Sequence, residues 1–166
     1  ILHLHSSFNL GGQESRTVRL MNHFGDQAEH TVLSAVDDAF GAADAIDRRV
    51  KVQFPKDAAP SLKGMPAIGR YRRLAQYMKK FHLVLSYNWG AMDGVMAHTL
   101  FTRSMNLPPL IHHEDGFNHD EIDRLKKRRN WFVRGGLVCG GGVRILVCGG
   151  LLWFGWCSGK GRSCGR

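Results

Sequence analysis

Short apolar runs alternate with amphipathic stretches along most of this chain. The runs have the length and aliphatic character of buried strands, and Leu83–Tyr87 is continuously apolar, which is typical of a strand buried on both faces. Strands are predicted at Ile1–His5, His30–Val36, Val50–Phe54, Leu83–Tyr87 and Pro109–Asp115.

The stretches between these strands have apolar residues at three- to four-residue steps, which predicts helices. The predicted helices are Gln13–Phe24, a short one at Ala42–Arg48, Ile68–Phe81, Met92–Met105 and a charged one from about Asp120 to Trp131. Regular alternation of strand and helix predicts a parallel sheet covered by helices, a Rossmann-like α/β fold. In such sheets ligands bind beyond the carboxyl ends of the strands.

The net charge of +9 has two sources. Residues 1–132 carry 18 Lys/Arg against 14 Asp/Glu, and residues 133–166 add five cations with no acid. Neither part forms a compact basic patch with interleaved aromatic residues, so we do not expect nucleic-acid binding. We do not expect a signal peptide before the first predicted strand, and we expect a cytoplasmic location, with a peripheral place on the inner membrane face as the alternative.

The last segment, 133–166, departs from the pattern. It holds eleven of the twenty glycines and all four cysteines, without a CxxC pair or a histidine, so no metal site is expected there. A membrane hairpin would need about 20 apolar residues, and Arg144 interrupts the longest run. A flexible tail would contain few tryptophans. We favour translation in a shifted frame, which sequencing of the locus would test, and expect one α/β domain over 1–132 followed by this tail.

A glycine pair, Gly11–Gly12, separates the first strand from the first helix. Glycine there permits a turn with positive φ or the close approach of a ligand to the helix N-terminus, where free N–H groups favour an anion. A tight turn without a ligand is equally compatible with the glycines alone. Glu14, in the first helical turn, is explained at least as well by the helix dipole.

A second polar group follows the last predicted strand in "HHEDGFNHDE". Strand alternation sends His112 and His113 to opposite faces, so one of them at most faces a cleft. Glu114 and Asp115 come directly after and are further candidates. The alternative is a polar loop in which Asp115 bonds backbone amides, and the spacing does not favour a metal site.

A third candidate lies at the end of another strand, in "SYNWGAMD". Asn88 is suited to bonding a sugar hydroxyl or a phosphate. Trp89 either packs against a ring or lies in the core, and the core is the favoured interpretation. The basic run Gly69–Lys80 has cations around most of its helix. A solvated face is the first interpretation, and attraction to an anionic membrane surface is the functional alternative.

Taken together, "HSSFNLGGQESRTVRLMNHFGDQAEHTVLS", "HLVLSYNWG", "LPPLIHHEDGFNHDE" and "LKKRRNWF" resemble the amino-terminal domain of bacterial family 4-type glycosyltransferases of the GT-B fold. The resemblance covers about residues 1–132. It implies transfer of a sugar, with retention at the anomeric carbon, from a nucleotide-sugar donor to a glycan or glycolipid acceptor, without a further cofactor.

The resemblance also implies roles for single residues. Gly11 and Gly12 match the glycine loop that approaches the donor diphosphate, and either His113 or Glu114 matches a histidine position that orients a sugar. The second domain of such enzymes, which holds the nucleotide, has no counterpart here, so we expect the chain alone to be inactive. The alternative function is a non-catalytic α/β module that binds a ligand or lies peripherally on a membrane.

Overall fold

The computed structural model of the chain describes residues 1–114 and 143–147. In this part of the chain six strands form one sheet: β1 Leu2–His5, β2 Glu29–Ser34, β3 Lys51–Gln53, β4 Val84–Tyr87, β5 Leu110–Glu114 and β6 Val143–Val147. Three α-helices of the same described residues accompany them: α1 Gly12–Phe24, α2 Ile68–Met78 and α3 Met92–Met105.

The strand order is β3-β2-β1-β4-β5-β6, and every neighbouring pair is parallel. The chain moves outward from β1 to β3, returns across β1 to β4 and continues to β6. The predicted Rossmann-like α/β fold is therefore confirmed. The order reverses beside β1 and β4, which is where ligands enter open α/β sheets.

Alternation along the strands separates two cores. Leu2 and Leu4 of β1 point to the face covered by α2 and α3, where they pack with Leu74, Met78 and Val95. A smaller apolar cluster on the opposite face includes Phe8, Val18, Met21 and Val32, and α1 covers it. Each fully buried leucine or valine contributes about 1.5–3 kcal/mol, so the two clusters hold the helices on the sheet.

Most predicted elements are present, with three differences. The expected helix at Ala42–Arg48 is a 3-10 turn, Gly41–Ala45, because tertiary partners replace helical ones: the amide of Ala42 donates to the carbonyl of Phe8 at 2.9 Å, and that of Asp47 donates to Asn22 Oδ1 at 2.9 Å. β6 lies within 133–166, where no strand is predicted. The predicted helix at 120–131 lies outside the described residues.

Candidate functional site

The N-terminus of α1 lies at the strand-end edge of the sheet. Gly11 and Gly12 are exposed there, and no side chain of the described residues caps the helix. Of the alternatives left open for the glycine pair, the turn with positive φ is not adopted, because Gly11 is extended (φ −150°, ψ −180°) and Gly12 is not among the residues with positive φ. A Cβ on Gly12 would find no atom within 4 Å. Neither the backbone conformation nor the packing at Gly12 requires glycine.

Glu14 lies directly beside this opening. Its Oε2 would be only 2.6 Å from a Cβ on Gly11, so the carboxylate occupies the space that Gly11 leaves empty. A carboxylate in the first turn is stabilised by the helix dipole, as expected for Glu14. The negative charge of this carboxylate also repels an anionic ligand. Glu14 is therefore better suited to accepting a hydrogen bond from a sugar hydroxyl than to binding beside a phosphate.

His5, at the end of β1, is fully buried behind Glu14, with its Nδ1 3.9 Å from Glu14 Oε1. Burial, helped by nearby His113, lowers the pKa of His5 to about 3. The imidazole is therefore neutral, and at this distance it forms neither an ion pair nor a hydrogen bond. Within the described part of the chain neither ring nitrogen of His5 has a hydrogen-bond partner.

Tyr87, at the end of β4, joins the histidines of three strands. Its ring stacks on His5 (centroids 4.2 Å apart, 14° between planes) and on His113 of β5 (4.9 Å, 18°). Its hydroxyl lies 3.2 Å from His3 Nδ1, and His3 Nε2 lies 2.9 Å from His30 Nδ1 on β2. These five residues form what we call the histidine–tyrosine cluster.

Three histidines of the cluster, His3, His5 and His30, are held in the neutral form. Burial lowers the pKa of His3 well below its usual value, with smaller effects of neighbouring histidines, and burial also lowers the pKa of His30. Neutral imidazoles can each donate from one nitrogen and accept at the other, which allows the row of hydrogen bonds. The sheet face beneath α1 is thus polar toward the strand ends, with uncharged imidazoles at His3, His5 and His30.

Asn88 connects the ends of β4 and β5 with α1. Its backbone amide donates to the carbonyl of His113 at 2.8 Å, and its side-chain Nδ2 donates to Gln13 Oε1. The backbone adopts φ 52° and ψ −176°, a region that residues other than glycine rarely occupy. Asn88 thus holds the three chain segments together, whereas the sequence predicts it only as a ligand of hydroxyl or phosphate.

Gln13 was not among the predicted site residues. Its Nε2 is buried without a hydrogen-bond partner in the described residues, and it lies in the first turn of α1 beside the glycines. An unpaired buried amide donor costs about 1–3 kcal/mol, and a ligand at the helix end could satisfy this one. Its position directly after the glycine pair was the available sequence signal.

The two histidines of β5 point to opposite faces, as predicted. His112 is buried on the face of α2 and α3, with Nδ1 2.9 Å from Ser86 Oγ. His113 lies on the α1 face and is half-buried. The structure therefore brings His113 to the site. Glu114 is the last residue of β5, paired in register with Val147, and Asp115 lies outside the described residues.

Trp89 differs from its prediction. It is 45 % exposed rather than part of the core, because it begins the short turn between Asn88 and α3. A large ring exposed next to strand ends that carry polar groups is a suitable surface for stacking a sugar or a base.

In the described residues, no three or more His, Cys, Asp or Glu side chains are grouped so that they could hold a metal ion. None of the described helices is long and apolar enough to cross a membrane.

Comparison with protein-family models, with curated proteins and with solved structures finds no match for this chain.

Proposed function

We propose that the chain is the acceptor-side domain of a retaining glycosyltransferase that uses a nucleotide-sugar donor. The observation that carries the proposal is the uncapped N-terminus of α1, where Gly11 and Gly12 are exposed and Gly12 is glycine without any conformational or packing need. The sequence resemblance over 1–132 supports the same function.

The proposed reaction breaks the bond between the anomeric carbon and a diphosphate oxygen and forms a bond from that carbon to the acceptor hydroxyl oxygen on the same sugar face. The proton of the acceptor hydroxyl passes to the departing diphosphate. Negative charge grows on the departing phosphate as that bond breaks. Amide groups fixed at the helix end stabilise this charge more in the transition state than in the ground state. Gly12 and Gln13 are the residues proposed to supply them.

The remaining strand ends are proposed to position the sugars. His113 lies at the edge of the histidine–tyrosine cluster with its ring held against Tyr87, and the Glu14 carboxylate stands beside the helix end. Both groups can bond sugar hydroxyls without changing their charge. In enzymes of this kind a second domain holds the nucleotide, so we expect purified 1–166 to bind phosphate groups weakly and to transfer no sugar.

The experiment is a titration of the full chain with inorganic pyrophosphate, followed by the amide NMR signals of residues 11–14. We expect these signals to shift in the wild type and to shift much less in Gly12→Leu. Gly69→Leu is the matched control, because Gly69 lies in the first turn of α2 and also has open space around its Cβ. Equal responses in the two variants, or shifts at α2 rather than α1, would contradict the proposal.

A further inference from the structure

Among the buried histidines of the described residues, His5 is the one whose ring nitrogens are both unpaired. The other four each use at least one nitrogen: His3 and His30 bond one another, His98 Nε2 donates to the carbonyl oxygen of Pro108 at 2.8 Å, and His112 Nδ1 lies 2.9 Å from Ser86 Oγ. Packing accounts for the ring of His5, which stacks on Tyr87 and meets the Phe8 ring edge-on at 5.0 Å. These ring contacts leave its nitrogens without a hydrogen bond.

His5 therefore holds a buried donor in need of an oxygen. Burial lowers the pKa of His5 to about 3, so its imidazole is neutral near pH 7. A neutral imidazole carries one N–H and one acceptor nitrogen. Since neither nitrogen is bonded, the N–H of His5 has no acceptor whichever tautomer the ring adopts. Such a donor costs free energy unless an oxygen reaches it.

The carboxylate of Glu14 stands across a gap that one oxygen can span. Its Oε1 lies 3.9 Å from His5 Nδ1, which is too long for a direct hydrogen bond. An oxygen about 2.8 Å from each of the two atoms would see them at roughly a right angle. That oxygen has to accept from the N–H of His5 and donate to the carboxylate, and a hydroxyl group does both.

The same carboxylate separates His5 from the uncapped end of α1. Its Oε2 lies over Gly11, 2.6 Å from the position of an added Cβ, and the Glu14 side chain is 13 % exposed whereas that of His5 is 0 % exposed. A ligand beside Gly11 can therefore reach His5 only with a small group. Gln13 Nε2, a second buried donor without a partner in the described residues, belongs to the same helical turn. A ligand with several hydroxyl groups suits such a set.

We propose that His5, Gln13 and Glu14 form a subsite for an uncharged polyol, one hydroxyl of which accepts a hydrogen bond from His5 Nδ1 and donates one to Glu14 Oε1. The charge of Glu14 strengthens its bond to a hydroxyl but repels an anion, so this subsite and the anion site at Gly12 take different groups. The subsite does not rest on the proposed transfer reaction.

The first test is a titration of the full chain with D-glucose, followed by the nitrogen NMR signals of the histidine rings. These signals report which ring nitrogen carries the proton. We expect D-glucose to shift the His5 signals, with the proton on Nδ1 in the bound state, and to shift the amide signals of residues 13 and 14. His5 signals that stay unchanged throughout the titration would mean that an ordered water alone occupies the gap, and would overturn the proposal.

The second test uses variants of His5. His5→Phe keeps a ring for stacking but has no nitrogen, so the affinity for D-glucose should fall about tenfold. His5→Asn keeps an amide group close to the position of Nδ1 and should bind within about threefold of the wild type. The control, Ser86→Ala, removes a hydrogen bond to a buried histidine on the other face of the sheet and should change the affinity less than about twofold.

Two outcomes of this comparison would contradict the subsite. An equal loss in His5→Phe and Ser86→Ala would mean that the loss comes from general loosening of the sheet. A folded His5→Asn that binds no better than His5→Phe would mean that Nδ1 is not the bonding atom.

The third test separates the polyol subsite from the anion site. In Glu14→Gln the affinity for D-glucose should fall about three- to tenfold, because a hydrogen bond to a charged acceptor becomes a neutral one. The same variant should bind pyrophosphate more tightly, so the two proposals can fail separately. A D-glucose affinity that is unchanged or higher in Glu14→Gln would overturn the subsite.

A steric variant makes the same point without removing a bonding group. The Cβ of Gly11→Ala would displace Glu14 Oε2, and we expect the affinity for D-glucose to fall about threefold or more. Gly69→Ala, in the first turn of α2, is the control, because its Cβ meets nothing within 4 Å. Equal affinities of the two variants would show that the position of the Glu14 carboxylate does not matter and would contradict the proposal.

Discussion

Gly90 lies directly against Ser6, so that the turn before α3 contacts the loop after β1. A Cβ added to Gly90 would stand 2.0 Å from Ser6 Cβ and 2.8 Å from Ser6 Cα. Real side chains do not tolerate such distances, and the second atom belongs to the backbone, which cannot rotate away. This is the position near the candidate site where the fold itself requires glycine.

The first prediction compares this glycine with Gly12. Gly90→Ala should destabilise the protein by about 3 kcal/mol, because the backbone of Ser6 must shift. Gly12→Ala should leave stability unchanged or raise it by up to about 1 kcal/mol, since alanine favours the helix and its Cβ meets nothing. Urea unfolding of both variants checks this, and a stable Gly90→Ala would show that Ser6 moves freely.

The second prediction concerns the Arg70 guanidinium, which bonds the carbonyl oxygens of the loop before α2 and the Asp93 carboxylate. Arg70→Lys keeps the charge but loses the planar fork, and should cost about 1.5 kcal/mol. The freed loop should be cut faster by trypsin after Lys63. The exposed Arg72→Lys is the control, and an unchanged cleavage rate in Arg70→Lys would contradict this account.

The third prediction tests the position of Glu14 beside the open helix end. Glu14→Gln removes a carboxylate that repels a bound anion, so the affinity for inorganic pyrophosphate should rise by about three- to tenfold. Stability should fall slightly, by about 0.5 kcal/mol, because the helix dipole loses its complement. Calorimetric titration at low salt measures the affinity. Weaker binding would mean that Glu14 helps hold the anion-binding conformation.

The elements of the fold could be predicted because apolar periodicity reports directly on burial. Leu83–Tyr87 reads as a strand buried on both faces, and residues 84–87 are a fully buried central strand. The helix prediction for residues 42–48 is wrong because partners distant in the sequence, Phe8 and Asn22, determine the conformation of this segment. Local pattern contains no information on such partners.

The candidate site was predicted less completely. The sequence places Gly12, Glu14 and His113 at one edge, since the carboxyl ends of parallel strands meet there. It does not show that Tyr87 lies between His5 and His113, because that contact depends on strand order and on rotamers. Gln13 and Gly90 were missed for the same reason: their importance comes from Asn88 and Ser6, across the sheet edge.

The last prediction follows from the buried neutral histidines. The folded protein holds His3 and His5 uncharged, with pKa values below the usual 6.5 and, for His5, about 3, whereas both take up a proton in the unfolded chain near pH 6.5. The unfolded state thus binds more protons below pH 6.5, and stability falls as pH falls through that value. Between pH 7.5 and 5.5 each histidine should contribute a loss of about 1.4 kcal/mol, roughly 3 kcal/mol together.

The slope of the unfolding free energy against pH gives the number of protons that the chain takes up on unfolding. Below pH 6.5 this number should be smaller by about one in His5→Phe, which keeps a ring for stacking on Tyr87. The exposed His82→Gln controls for replacing a histidine that lies outside the cluster. A slope unchanged in His5→Phe would mean that His5 is protonated in the folded protein, which would place a charge beside Glu14 and make their 3.9 Å contact an ion pair after all.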